Sequence, residues 1–202
     1  MLSKENSKTI ILASKSPRRI ELLRLIGLKF KVEPARRFKE ENDGKLSARE
    51  LVLRNAVGKA LEVAEKHKKG LVIGVDTVGA LHDHILEKPK HRADAFRMLK
   101  LLQGNTHEVL SGICIMDAAS GEKSTYVEST KVEFAMLSDA EINKYLDKAD
   151  WSDKAAAYAA QGLASLFIKA FDGDYFNVVG IPLYRINLML KDFDIDLMDI
   201  VK

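Results

Sequence analysis

IILASKSPRRIELLRL, residues 10–25, predicts a strand, a turn and a helix in direct succession. The aliphatic run Ile10–Leu12 is typical of a short buried strand. Ser16 is suited to cap the helix that follows, and Pro17 suits its first position, where no backbone N–H is needed. The helix would end at Gly27, with an apolar face formed by Leu22, Leu23, Leu25 and Ile26.

Two arginines in the first turn of this helix are its unusual feature. Arg18 and Arg19 stand where the helix dipole disfavours cations and where a capping box would have glutamate. Together with the hydroxyls of Ser14 and Ser16 and the free N–H groups of the helix start, they would form an anion site suited to phosphate. The alternative is an exposed arginine pair at a solvated helix end.

The composition indicates a globular protein and excludes several classes. The 202 residues are 47% hydrophobic and 30% charged, which suffices for one large domain or two small lobes with a common core. No apolar run approaches the ~18 residues of a membrane span, and the first residues lack the apolar core of a signal peptide. The single Cys114 lies in an apolar run, which predicts a core position, and a chain with one cysteine has no intramolecular disulfide, consistent with the cytoplasm.

The remaining pattern alternates strands with helices around a hairpin, which predicts an α/β sheet of mixed direction. Ser47 and Glu50 form a capping box that opens a long helix to about His67. Its expected apolar positions are Leu53, Val57, Ala60, Leu61 and Ala64. Further strands are predicted at 30–32, 71–75, 107–116, 124–135 and 166–168, further helices at 92–102, 139–147 and 183–193, and loops at 33–45 and 171–182.

Asp76 directly follows the apolar run of residues 71–75. Because ligands of open α/β sheets bind at the carboxyl ends of strands, this position suits a catalytic carboxylate or a metal ligand. The alternative is an acid that merely ends the strand in a turn. His82 and His84, a few residues later, are either a metal-binding pair or, as we expect, the tip of a solvated hairpin.

Three separated segments together resemble the Maf family of nucleotide pyrophosphatases. They are LASKSPRRIELL (12–23), GVDTV with ILEKP and LLQGNTHEVLSG (74–112), and DKAAAYAAQG with GDYFNVVGIP (153–182). The resemblance implies an elongated mixed β-sheet flanked by helices, akin to inosine triphosphatases. It also implies a single domain over residues 1–202, with two lobes that share one core around a central cleft.

The resemblance implies a hydrolase of the nucleotide diphosphatase type. Such an enzyme cleaves a nucleoside triphosphate between the α and β phosphorus and yields the monophosphate and pyrophosphate, a house-cleaning reaction on nucleotide pools. It requires a divalent cation, Mg²⁺ or Mn²⁺. The implied partner is the nucleotide, with no stable nucleic acid and no membrane, and the resemblance allows a homodimer.

Site residues follow from the same resemblance. Asp76 would accept a proton and touch the metal, and Glu40 would be the second metal acid, with Glu41 as the alternative. Lys88 would join them in catalysis. The implied substrate-binding residues are Ser14, Ser16, Arg18, Arg19, Lys59, Thr77, Lys154 and Gln161, although Lys59 could also be a helix-edge residue.

Three positions match the branch of the family that prefers dTTP and UTP, which could extend to modified pyrimidine nucleotides. They are Arg18, Thr77 and Gln161. An amide offers both a donor and an acceptor, as the edge of uracil or thymine does. The chain departs from the family at Gly79, where an aliphatic residue is common, and at Ala156, where glycine is frequent, and Val75 replaces a usual alanine.

Two alternatives remain open at this stage. One is a pyrophosphatase with another base preference, such as 7-methyl-GTP, which a second branch of the family prefers. The other is a non-catalytic nucleotide- or nucleic-acid-binding regulator of septum formation, because the family has been linked to septum arrest. A net charge of +3, scattered basic residues and 7% aromatic residues give the nucleic-acid alternative little support.

Overall fold

A computed structural model describes residues 9–40 and 44–201. In this part of the chain, seven strands form one mixed sheet with helices around it, as the sequence predicts. The strands are β1 Ile10–Leu12, β2 Phe30–Val32, β3 Leu71–Leu81, β4 His84–Leu86, β5 Thr106–Asp117, β6 Lys123–Phe134 and β7 Ile168–Asp172. The helices are α1 Pro17–Leu25, α2 Ala48–Ala64, α3 Arg92–Leu102, α4 Asp139–Lys148, α5 Tyr175–Val179, α6 Leu183–Lys191 and α7 Leu197–Ile200.

The strand order in the sheet is β2-β1-β3-β5-β6-β7, and β4 pairs with β3 outside this path. Strand β1 runs parallel to both of its neighbours, β2 and β3. The pairs β3–β4 and β6–β7 are antiparallel. The parallel pairing places the carboxyl end of β1 beside Ile73, near the start of the much longer β3.

The stretch of residues 10–25 folds largely as its local signals predict. All of β1 is buried, and α1 begins at Pro17 after the cap residue Ser16. Gly27 takes a positive φ of 73° just past the helix, a conformation that favours glycine. The prediction that Leu25 lies on the apolar face was wrong, since its side chain is 73% exposed and the buried face consists of Leu22 and Leu23.

Strand β3 corrects the prediction that Asp76 ends a strand. The strand continues to Leu81, because Gly79, Ala80 and Leu81 pair with the β4 residues that follow the turn. Asp76 therefore lies inside β3, three residues beyond Ile73, the last residue of β3 with a partner in β1. The turn itself, at His82 and Asp83, is exposed, as expected for a hairpin tip.

Helix α2 begins with the predicted capping box of Ser47 and Glu50 but ends at Ala64, before His67. Its buried face is rotated from the predicted one: Leu61 is 46% exposed, whereas Asn55 and Glu62 are buried. Two polar side chains thus occupy core-facing positions, which requires that their polar atoms find partners inside the protein.

The chain divides into two compact units. The first comprises residues 1–76, 112–127 and 183–202, and the second comprises residues 77–111 and 128–182. An apolar cluster of the first unit includes Ile11, Ala60, Val72 and Cys114. The thiol of Cys114 is fully buried, and burial raises its pKa to about 11, with Lys123 acting in the opposite direction. This confirms Cys114 as a core residue.

The second unit has its own core, built around an aromatic cluster. Phe134 makes edge-to-face contacts with His107, Tyr158 and Phe167. The strand predicted at 166–168 is displaced to Ile168–Asp172, because residues 163–166 form a 3-10 turn. The loop predicted at 171–182 contains helix α5, whose first N–H groups are capped by the carboxylate of Asp174. Within the described residues, none of the helices has the length and apolar character needed to cross a membrane.

Candidate active site

The turn between β1 and α1 folds back on itself through Ser14. The hydroxyl oxygen of this buried serine accepts a hydrogen bond from the Ser16 N–H at 3.2 Å and another from Nη1 of Arg19 at 3.2 Å. The same Nη1 also donates to the carbonyl oxygen of Val75 at 2.8 Å. Arg19 is therefore held against β3, and the alternative of a solvated arginine does not apply to it.

Ser16 and Arg18 complete this helix start. Ser16 occupies the cap position, but its side chain makes no capping hydrogen bond, so its hydroxyl is not committed to the helix. Arg18 is half-buried and adds a second guanidinium within one turn of Arg19. Two cations and uncapped N–H groups therefore lie at one helix start, and their binding of an anion stays a prediction.

Asp76 lies on the segment of β3 that extends past β1 and is only 6% exposed. Its Oδ2 accepts a hydrogen bond from Nδ2 of Asn55 at 2.9 Å. Its Oδ1 accepts one from Nζ of Lys59 at 2.7 Å. Two residues one turn apart on α2 therefore fix both oxygens of the carboxylate.

Lys59 also joins Asp76 to the predicted second acid. Its ammonium group lies 2.6 Å from Oε1 of Glu40 and 2.7 Å from Oδ1 of Asp76, and the lysine side chain is 13% exposed. The interpretation of Lys59 as a mere helix-edge residue does not fit this position. Glu41, the alternative to Glu40, lies outside the described residues.

The pKa of Arg19 depends on burial and on three charged neighbours. Burial is the largest influence and lowers the pKa of its guanidinium; the carboxylates of Asp76 and Glu40 raise that pKa, and Arg18 lowers it. A guanidinium stays protonated in proteins, so Arg19 is a cation that faces two acids. The cluster contains two acids, Asp76 and Glu40, and three bases, Arg18, Arg19 and Lys59, so it can bind an anion and accept a proton at neighbouring points.

Asn55 is the contact of this cluster that the sequence did not reveal. Because a carboxylate only accepts hydrogen bonds, the amide nitrogen must face Asp76, and the amide oxygen must point away. That Oδ1 atom is buried and has no hydrogen-bond partner among residues 9–40 and 44–201. The sequence carried no signal for this contact, because the apolar pattern of α2 predicts a buried face on the other side of the helix from Asn55.

The other predicted residues belong to the second unit. The hydroxyl of Thr77 is hydrogen-bonded to that of Ser111 at 2.8 Å. Nζ of Lys154 is 3.1 Å from Oδ2 of Asp150 and also contacts Asp153. Lys88 and Gln161 are exposed. The functions assigned to these four residues stay predictions.

The described residues contain no large cluster of side chains suited to bind a metal ion. No group of three or more His, Cys, Asp or Glu side chains suited to a metal ion occurs within residues 9–40 and 44–201. The hairpin residues His82 and His84 are accordingly not part of such a group. Asp76 and Glu40, which meet at one ammonium group, form a pair of carboxylates of the kind that hard divalent cations use.

Comparison with known proteins matches this chain to one family model and to curated relatives. The family model described as "Maf-like protein" matches residues 9–193. A dTTP/UTP pyrophosphatase of Dictyoglomus turgidum is 41% identical over 191 residues, covering 95% of this chain and 99% of that protein. A dTTP/UTP pyrophosphatase of Acetivibrio thermocellus is 43% identical over 196 residues, covering 94% and 97%.

Among solved structures, a nucleoside-triphosphatase, also named a dITP/XTP pyrophosphatase, from Mycobacterium abscessus aligns with 92% of this chain and 96% of its own, at 13% identity and a TM-score of 0.44. The family model spans nearly the whole described chain, and the curated relatives exceed 40% identity over almost their full length. The chain belongs to the Maf-like protein family.

Proposed function

We propose that this protein hydrolyses dTTP and UTP to the nucleoside monophosphate and pyrophosphate. The observation that carries the proposal is the cluster of Arg19, Asp76, Lys59 and Glu40, which puts an anion-binding helix start beside a buried carboxylate. The names of the two curated relatives support the same reaction and the same two nucleotides.

The triphosphate is bound by the start of α1. Arg19 and Arg18 supply planar guanidinium groups that suit phosphate oxygens, and the hydroxyls of Ser14 and Ser16 supply further donors. Arg19 is already oriented by its bonds to Ser14 and to the Val75 carbonyl oxygen. Its side chain therefore loses little conformational freedom when substrate binds.

Asp76 accepts the proton of the attacking water. The water oxygen forms a bond to the α-phosphorus, the bond from that phosphorus to the bridging oxygen breaks, and pyrophosphate leaves. Asn55 and Lys59 hold the two carboxylate oxygens in place, which orients the base before the reaction. The ammonium of Lys59 also offers positive charge to the phosphates.

Asp76 and Glu40 would hold a divalent cation, Mg²⁺ or Mn²⁺. Two carboxylates with phosphate oxygens and water are the ligands that Mg²⁺ prefers, so the donor set fits. Such a cation neutralises the charge of the triphosphate and of the departing pyrophosphate. Lys88 and Lys154 are proposed to add charge, and Thr77 and Gln161 to contact the base.

The test is a panel of triphosphates, including dTTP, UTP, modified pyrimidine nucleotides and 7-methyl-GTP, incubated with pure protein and Mg²⁺ or Mn²⁺. We expect dTMP or UMP together with pyrophosphate. Release of orthophosphate would reject the reaction, and no turnover would favour a non-catalytic regulator. Turnover of 7-methyl-GTP alone would keep the reaction and reject the base preference.

One variant ties this activity to the cluster. Asp76→Asn should lower kcat by about 10²–10⁴-fold, the usual contribution of a general base, while nucleotide still binds. Asp83→Asn, the same change in the exposed turn after β3, serves as the control and should leave kcat unchanged. Equal activity of Asp76→Asn and the native protein would remove Asp76 from the mechanism.

A further inference from the structure

The buried carboxylate of Glu62 binds the backbone of the segment that carries Glu40. Its Oε1 accepts the N–H of Arg36 at 3.0 Å, and its Oε2 accepts those of Arg37 at 2.8 Å and Phe38 at 2.6 Å. Lys66, just past the end of α2, adds an ammonium at 3.0 Å from Oε1. Three successive amides around one carboxylate form a strong, charge-assisted attachment.

The carboxylate keeps its charge over the whole neutral range. Burial, the largest single influence, raises the pKa of Glu62, but the N–H bonds from residues 36–38 and the bond from Lys66 together lower it to about 2. The attachment is therefore present at every pH at which the enzyme would work.

A second attachment lies one turn earlier on α2. A Cβ atom built on Gly58 would lie 2.0 Å from Cε2 of Phe38, so the phenyl ring rests directly on the glycine backbone. Glycine inside a helix weakens it by about 1 kcal/mol relative to alanine. The close contact with the ring explains why glycine occupies this helical position, since any larger residue would collide with Phe38.

Both attachments flank the residue that contacts Glu40. Lys59 follows Gly58 directly, and Glu40 comes two residues after Phe38, with its Oε1 at 2.6 Å from Nζ of Lys59. One face of α2 thus holds the segment by its amides, by an aromatic ring and by Glu40 itself.

We propose that Glu62, assisted by Gly58, is a positioning residue that holds Glu40 against Lys59 and Asp76. The inference rests on the proposed function, because it gives Glu40 a part in the reaction. Neither Glu62 nor Gly58 contacts the substrate in this proposal, and both act through the conformation of residues 36–40.

Two chemically different variants test it. In Glu62→Gln the amide nitrogen is a donor, so it cannot accept hydrogen bonds from the N–H groups that one carboxylate oxygen now accepts. In Gly58→Ala the new methyl group displaces the Phe38 ring. Both should lower kcat/KM for dTTP by about 10–100-fold, the cost expected of a displaced catalytic group. Both should also weaken Mn²⁺ binding measured by electron paramagnetic resonance without nucleotide.

Glu65→Gln is the matched control. Glu65 is the cap residue at the end of the same helix, is exposed, and faces the guanidinium of Arg37 at 3.8 Å instead of the backbone amides. We expect its kcat/KM and its Mn²⁺ affinity to stay within about twofold of the native values, as for other surface ion pairs. Thermal unfolding of every variant separates a folding defect from a local one. If Glu62→Gln does not fold, the kinetics and Mn²⁺ binding of Gly58→Ala test the proposal instead.

Combination with Glu40→Gln identifies the path of the effect. If Glu62 acts through Glu40, then adding Glu62→Gln to Glu40→Gln should lower kcat/KM by less than about twofold more. Multiplicative losses in the double variant would overturn the inference. Native kinetics of Glu62→Gln and Gly58→Ala, together with impaired kinetics of Glu40→Gln, would also overturn it. The second result would leave the proposed function intact. Should dTTP not be hydrolysed at all, Mn²⁺ binding by the same variants still decides whether Glu62 positions Glu40.

Discussion

At the scale of single residues, His107 shows how burial sets the chemistry of a side chain. It is 1% exposed, its Nε2 is hydrogen-bonded to the hydroxyl of Tyr158 at 2.8 Å, and its Nδ1 has no partner within the described residues. Burial lowers the pKa of His107 from 6.5 to about 4. The folded protein therefore takes up this proton at a lower pH than the unfolded chain does.

Acid should destabilise the protein through His107. Because the folded state prefers the neutral ring, the stabilisation is complete above pH 6.5 and is lost as the pH falls towards 4, by about 3 kcal/mol in all. Urea unfolding from pH 7 to pH 4 should show a smaller loss in His107→Gln than in the native protein. His82→Gln, in the exposed turn, should keep the native pH dependence; the same slope in all three proteins would contradict the prediction.

At the scale of elements, β3 and the 3-10 turn at residues 155–157 come into close contact at Gly79 and Ala156. A Cβ atom on Gly79 would lie 2.9 Å from Cβ of Ala156, and Ala156 has a φ of 57°, a conformation that favours glycine. The resemblance to the Maf family places an aliphatic residue and a glycine at these two positions. In this chain the turn carries the side chain and the strand carries none, and the alanine of the turn adopts a strained positive φ.

This close contact predicts strong coupling between the two positions. Gly79→Ala alone should lower the free energy of unfolding by about 1–3 kcal/mol because the methyl groups collide. In the Ala156→Gly background, the same change should cost less than about 0.5 kcal/mol, as measured by urea unfolding. Ala157→Gly is the control, since Ala157 has a similar φ of 62° without being the close neighbour of Gly79. Additive effects of Gly79→Ala and Ala156→Gly would refute the coupling.

At the scale of the whole molecule, a bound triphosphate should stabilise the fold by mass action. An α,β-imido analogue of dTTP with Mg²⁺, at 100 times its Kd, should contribute about 2.7 kcal/mol and raise Tm by about 5–10 °C. Arg19→Met should abolish most of this shift, whereas Asp76→Asn, which loses a metal ligand but keeps both arginines, should retain the larger part of it. The same shift in Arg19→Met and the native protein would remove Arg19 from phosphate binding.

The fold was predictable wherever local signals sufficed. The strand at Ile10–Leu12, the helix start at Pro17 and the capping box at Ser47 each follow from a few neighbouring residues. The extension of β3 to Leu81 was not predictable, because it depends on pairing with β4.

The charged residues of the candidate site were predictable from the sequence, but the residues that hold them in place were not. Ser14, Arg19, Asp76 and Glu40 carried chemical signals and a family resemblance, and the structure brings them together. Asn55 and Glu62 carried neither signal. Their burial follows from the rotation of α2 about its axis, which tertiary contacts decide and which its apolar pattern misplaced by about one position.

The burial of Cys114 makes the chain convenient for site-specific labelling. The sequence contains one cysteine, and its thiol is sealed in the core of the first unit, so maleimide dyes should not react with the folded native protein. A cysteine introduced at the exposed Lys39 would then be the sole reactive position, and a fluorophore there would report directly on the backbone that Glu62 holds.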